Sequence, residues 1–142
     1  MFNNYDVTSA NAEIVMTIPG LYPTGIRVEG FSTDNMLSAE NIALAETRMG
    51  VDGHMAAGVV NNVIPVTITL EAASDSRRAF ETLRDAQKAN KRPYFVTMVV
   101  NYPAIDLVKT FKGGVLVSAP SIPTGGKTLQ PTTWTFHFES VE

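Results

Sequence analysis

Residues 49–89 read MGVDGHMAAGVVNNVIPVTITLEAASDSRRAFETLRDAQKA. This one stretch holds a turn, a strand and a capped amphipathic helix. Strict alternation in Val66-Thr67-Ile68-Thr69-Leu70 predicts a strand with one buried and one wet face. Ser74, Asp75 and Ser76 follow at once, and their short oxygen-bearing side chains satisfy the free N–H groups of a helix start. Ala79, Phe80, Leu83 and Ala86 then recur at helical spacing among Arg77, Arg78, Glu81, Arg84 and Asp85, which predicts a helix over about residues 75–90. Upstream, Val51-Asp52-Gly53-His54 is a turn, because Asp-Gly supplies the positive φ that a tight hairpin needs.

Outside this stretch the pattern is that of strands. Ile14, Met16 and Ile18 alternate with Val15 and Thr17 and end at Pro19-Gly20. Gly25 to Phe31 repeats the pattern, with Pro23 just upstream where a missing N–H does little harm on a sheet edge. Tyr94 to Asn101 (YFVTMVVN) is the most apolar run and reads as the most buried strand. Lys91-Arg92-Pro93 ends the helix before it. Asp106–Lys112 and Val115–Ala119 flank Gly113-Gly114 and read as a hairpin. Pro120 to Lys127 is a turn-rich loop. Thr132 to Val141 sets Trp134, Phe136 and Phe138 against Thr133, Thr135, His137 and Glu139, the pattern of a central or partnered terminal strand. Ser32 to Thr47 fits either a short helix or an extended excursion, since Ile42 and Leu44 also alternate. The sum is about eight strands and one helix: a mainly β chain, an antiparallel β-sandwich or barrel with one flanking helix.

Length and composition narrow the function. A chain of 142 residues fits one domain, 1–142, with a polar N-terminal arm at 1–11. It has no cysteine and a formal charge of −3, with 11 basic and 14 acidic residues. Disulfide frameworks and thiolate metal sites are therefore excluded, and there is no lysine/arginine run to track a phosphate backbone. The N-terminus lacks the basic and apolar regions of a signal peptide, and no window reaches the ~20 apolar residues of a membrane span.

The motifs that resemble chemistry read as structure. Gly125-Gly126-Lys127-Thr128 ends like a phosphate loop, but Ser121 stands where the pattern requires glycine, and the segment leads to a strand. His54 sits in a turn and His137 on a strand, too few for a metal site. Ser118 and Ser121 lack a nucleophile-elbow context, and Glu139 with Glu142 reads as solvated surface. The expectation is a protein without catalysis, metal or cofactor.

The order of features resembles the tail tube proteins of contractile-tailed bacteriophages. It is carried by the GVDG turn into an apolar hairpin, IPVTITLEAASDSRRAFETL, an apolar strand, GGVLVSAP, and W-x-F near the end. Those proteins are similar in fold to type VI secretion tube subunits. The resemblance implies a structural virion protein that forms homo-hexameric rings, their sheets joined into one inner barrel. It further implies that the rings stack into a tube whose lumen conducts DNA during ejection. The implied partners are further copies of the chain, the tail sheath protein, the tape-measure protein and DNA passing without sequence-specific binding. The implied location is the virion tail, after assembly in the host cytoplasm and with no membrane insertion of its own. The segment 32–47 and the arm are the expected inter-subunit contacts, through Asp34, Met36, Leu37, Asn41, Ile42, Leu44 and Glu46. Thr67, Thr69, Thr133, Thr135 and Glu139 are candidates for the lumen wall or for the sheath-bearing surface. The alternatives are another tail or baseplate ring component on this fold, and a small-ligand-binding barrel.

Overall fold

The computed structural model describes residues 12–29 and 37–142. The elements are β1 (Glu13–Ile18), β2 (Tyr22–Val28), β3 (Leu37–Ala39), β4 (Ala45–Met49), β5 (Met55–Val59), β6 (Ile64–Leu70), α1 (Asp75–Asn90), β7 (Val96–Tyr102), β8 (Leu107–Ser118), β9 (Thr132–Phe138) and β10 (Ser140–Val141). An antiparallel sheet runs β2-β1-β7-β8-β9-β6-β3, with β10 added to β8, while β4 and β5 form a separate two-stranded ribbon. The described residues are thus mainly β with one α-helix, as the alternation predicts.

Register follows from burying one side of each strand. Val66 lies opposite Phe136 and Ile68 opposite Trp134, and all four side chains are fully buried. They join Ile14, Met16 and Ile18 of β1, Val96, Met98 and Val100 of β7, and Phe80 and Leu83 of α1 in one core cluster. Both ends of the sheet path therefore fold over a shared core. Burial of this apolar surface, at about 25 cal/mol per Å², is the dominant stabilising term. The indole N–H of Trp134 donates to Thr132 Oγ1 at 3.0 Å, and that hydroxyl donates in turn to the Leu70 carbonyl at 3.4 Å. Among the described residues no buried side-chain nitrogen or oxygen is left without a partner.

The helix starts where its cap predicts. The backbone N–H of Ser76 donates to Ser74 Oγ at 3.2 Å. The Ser74 hydroxyl also donates to the Glu29 carbonyl, and Ser76 Oγ accepts from the Glu29 N–H at 2.7 Å. The helix N-terminus is thereby tied to the end of β2. At its other half, Arg84 Nη1 donates to the carbonyls of Pro120 and Ser121 at 2.6 and 3.2 Å, and Gln87 Nε2 to the Leu116 carbonyl at 3.1 Å. Phe80 sets its ring edge against Trp134 and Phe136, with centroids 5.6 and 5.5 Å away.

Three expectations are corrected. Gly113-Gly114 is not a hairpin turn: β8 is one twelve-residue strand that runs through it. Its first part pairs with β7 and its last part with β9, so the glycines mark the step between partners. Gly113 sits at φ 66°, and Gly114 lies so close under the Phe138 ring that no Cβ fits. Next, β7 is buried on alternate residues only, with Phe95 before it exposed. Last, the strand expected over Gly25–Phe31 is Tyr22–Val28. It carries Pro23 and ends the sheet among the described residues, as the edge reading of that proline requires.

Candidate assembly surface

The ribbon β4–β5 is set apart by its lack of a core. Its register runs from Ala45 opposite Val59 to Met49 opposite Met55, and every residue of both strands is exposed. The turn closes as Asp-Gly predicts: Gly53 has φ 85°, Gly50 N–H donates to the His54 carbonyl at 2.8 Å, and His54 N–H to Asp52 Oδ1 at 3.1 Å. At the base, Val60 N–H donates to the Leu44 carbonyl at 3.1 Å and Asn62 Nδ2 to the Ala43 carbonyl at 3.0 Å. Its sequence explains the stand-off. AETRM and MAAGV offer small or charged side chains at most positions, not a bulky face to bury. The large apolar groups it does carry point to water: Met49, Met55 and Val59 are 66, 62 and 87 % exposed, and Val51 at the tip is fully so.

In the single chain these apolar side chains are left uncovered. A lone two-stranded hairpin is at best marginally stable in water.

The expected contact residues distribute unevenly around this ribbon. Asp34 and Met36, like the arm at 1–11, lie outside the described residues. Leu37 belongs to β3, opposite Ile68, and packs on the core, as does Ile42. Asn41, Leu44 and Glu46 are exposed at the ribbon's base. Of the segment 32–47, residues 32–36 lie outside the described residues, and residues 37–47 hold β3 and the start of β4 with no helix between them. Sequence reading missed Met49, Val51, Met55 and Val59. The one signal that could have found them is the Ala/Gly content of β5.

Besides the concavity of about 410 Å³ along the ribbon's own strands, two others lie outside it. One, of about 360 Å³, lies beneath its base between Asn61, Val63, Val115, His137 and Glu139. Another, of about 140 Å³, is an apolar slot between Leu37 of β3 and Val100, Tyr102, Leu107 and Phe111 of β7 and β8. Burial beside this slot holds the Tyr102 phenol above its ordinary pKa of 10. The polar face of the β6–β9 pair is a run of hydroxyls. Thr67 faces Thr135 with oxygens 3.5 Å apart, and Thr69 faces Thr133. Glu139 leaves this run, because the chain steps there and its N–H donates to the Lys112 carbonyl of β8 at 3.0 Å.

The chemistry-like motifs are scattered. His54 is in the ribbon turn and His137 in β9, and among the described residues no three His, Asp or Glu side chains gather as a metal site. Gly125 to Thr128 lies in a loop closed by a bridge to Leu129, with no helix after it. No described helix is long and apolar enough to cross a membrane.

A family model described as tail fiber protein gp32 matches residues 5–142. Comparison with curated proteins gives no match. Among solved structures, the chain is similar to a protein of the anti-feeding prophage baseplate, 6-fold symmetrised (TM-score 0.65, 12% identity, covering 100% of this chain and 96% of that one). It is also similar to a protein of the anti-feeding prophage cap, described as tube terminating (TM-score 0.61, 12% identity, 100% and 93%). A third is from an extracellular contractile injection system, the PVC sheath–tube complex in its extended state (TM-score 0.57, 12% identity, 97% and 90%). At this identity the likeness concerns the fold.

Proposed function

We propose that this chain, which belongs to the tail fiber protein gp32 family, is a structural subunit that assembles with copies of itself into rings stacked as a tail tube. The observation that carries this reading is the β4–β5 ribbon. It is a built hairpin with a formed turn and exposed apolar side chains, and it lacks a core of its own. A second copy supplies what the monomer leaves uncovered. The strands that end the main sheet among the described residues, β2 and β3, support the same reading, since unpaired edges invite pairing between chains. Head-to-tail contact between different patches yields open, extended assembly.

In the proposed tube the Thr67–Thr135 and Thr69–Thr133 face lines the lumen. Its hydroxyls carry no charge, so DNA slides past without being gripped. The outer surface meets the sheath, the tape-measure protein fills the lumen before ejection, and the site of action is the virion tail after assembly in the host cytoplasm. The fold is shared by baseplate, cap and sheath–tube components. A ring that closes without stacking is accordingly the second reading.

The test is excision of the ribbon. Leu44 and Val60 are already hydrogen-bonded neighbours, so replacing Ala45–Val59 with Asn-Gly rejoins the chain through a two-residue turn. Negative-stain microscopy and light scattering of the parent should show hollow tubes at rising concentration, and the excised protein should stay folded and unassembled. A parent that remains monomeric at high concentration overturns the tube reading. Closed rings that never lengthen favour the baseplate or cap role. Tubes from the excised protein remove the ribbon from the interface.

A further inference from the structure

Two apolar surfaces of the single chain are uncovered, and they differ in shape. The far end of the ribbon is a knob. Met49 and Met55 stand opposite each other there, Val51 lies beyond them in the turn, and all three are exposed. The turn that carries Val51 is already built, since Gly53 N–H donates to the Gly50 carbonyl at 3.1 Å and Gly50 N–H to the His54 carbonyl at 2.8 Å. The slot of about 140 Å³ is a recess, with Leu37 and Ala39 on one wall and Val100, Leu107 and Phe111 on the other. Exposed Ile105 stands in the turn that leads from Tyr102 to Leu107. An apolar cavity of about 150 Å³ takes a group the size of benzene, so this recess suits one aliphatic side chain. No ribbon residue lines it, and among the described residues the ribbon pairs with no other strand.

Each surface also holds a charge that its own chain leaves unmatched. Lys109 lines the recess, and Asp52 follows Val51 at the tip. Both are exposed and form no ion pair among the described residues. Asp52 Oδ1 accepts the His54 N–H, which leaves the second carboxylate oxygen to meet a cation. The neighbouring charges are mixed in sign. Glu40 and Asp106 adjoin recess residues in the chain, and Arg48 adjoins Met49, so neither surface repels the other as a whole.

We propose that Val51 at the tip of the ribbon seats in the slot between β3 and the β7–β8 pair of a second copy, with Asp52 meeting Lys109 beside it. The inference rests on the self-assembly reading above and names the surface that receives the ribbon. Seating removes apolar groups of both copies from water together, at about 25 cal/mol per Å². The exposed ion pair adds little affinity but fixes which groups meet. One such contact is small beside the roughly 1,600 Å² of a stable interface. Copies joined in a ring present it together, so the contacts reinforce one another. The other occupant of such a slot is a small apolar molecule. That occupant leaves Lys109 unmatched and the knob uncovered, which favours the second copy.

The chain has no cysteine, so cross-links between introduced thiols report contact between copies. Val51→Cys is mixed with Ala39→Cys under oxidising conditions, and separately with Arg78→Cys, an exposed site in the first turn of α1. Mass spectrometry of the linked peptides reads the mixed product. A disulfide needs Cα atoms within about 7 Å, so the first mixture should link about tenfold faster than the second or more. Equal rates in a protein that assembles overturn the contact. The critical concentration for assembly is the second readout, taken by light scattering on proteins that circular dichroism shows to be folded. Val51→Asp should raise it about tenfold or more, because a charge enters an apolar recess. Asp52→Lys and Lys109→Asp should each raise it about threefold, and the double exchange should return it to within about 1.5-fold of the parent. Val51→Asp assembling like the parent also overturns the contact, and benzene bound by the parent then gives the slot to small molecules. A parent that never assembles strikes the self-assembly reading and this inference with it, whereas an assembling parent with equally slow cross-links strikes this inference alone.

Discussion

At the residue scale, Gly113 and Gly114 show how far local reading goes. Two adjacent glycines between apolar runs serve a hairpin turn and a bulge equally well, because both use positive φ. The choice here is made by Phe138, twenty-four residues on, whose ring occupies the space above Gly114. Nothing in residues 107–118 encodes that neighbour. Gly114→Ala should therefore act as overpacking, costing about 1–3 kcal/mol and lowering the melting temperature by roughly 4–10 °C. Gly58, in the ribbon, has open space around it and an ordinary backbone, so Gly58→Ala is the matched control and should leave melting unchanged. Equal effects at the two sites would contradict the packing account.

The elements differ in how much of them the sequence declares. Helix α1 was legible to its ends, because its cap, its period and the following proline are all local signals, and Ser74 caps it in the structure. β6 and β9 were legible for the same reason, each with a strict period of two. Strand β3 was not, since three residues are too few to show a period. Nor was the stand-off of the ribbon: Asp52-Gly53 predicts the turn, but absence of a packing partner is a property of the whole fold. Within the helix, cap and core are expected to rank by burial. Ser74→Ala removes a capping bond and the tie to Glu29 and should cost about 1 kcal/mol. Phe80→Ala empties the space against Trp134 and Phe136 and should cost about 3–5 kcal/mol. Chemical denaturation of the two variants decides the order, and a larger loss at Ser74 would mean that the helix is held by its end and not by its face.

At the scale of the whole molecule, 12% identity accompanies a shared fold over nearly the entire chain. The family tie covers residues 5–142, so the ribbon belongs to the matched region even though it adds nothing to the core. A segment with that placement should have low stability in the single chain, and the proposed assembly would supply the neighbour that covers it. Hydrogen exchange resolves this directly, because local opening and global unfolding are read at separate amides. In the unassembled chain the paired amides of Ala45–Val59 should exchange rapidly, while those of β6, β7 and β9 wait for global unfolding. On assembly the ribbon amides should slow by about a hundredfold or more, and the central strands should change little. Ribbon amides equally slow in both states would show that the hairpin is stable by itself, and the uncovered apolar side chains would then lose their force as an argument for a partner.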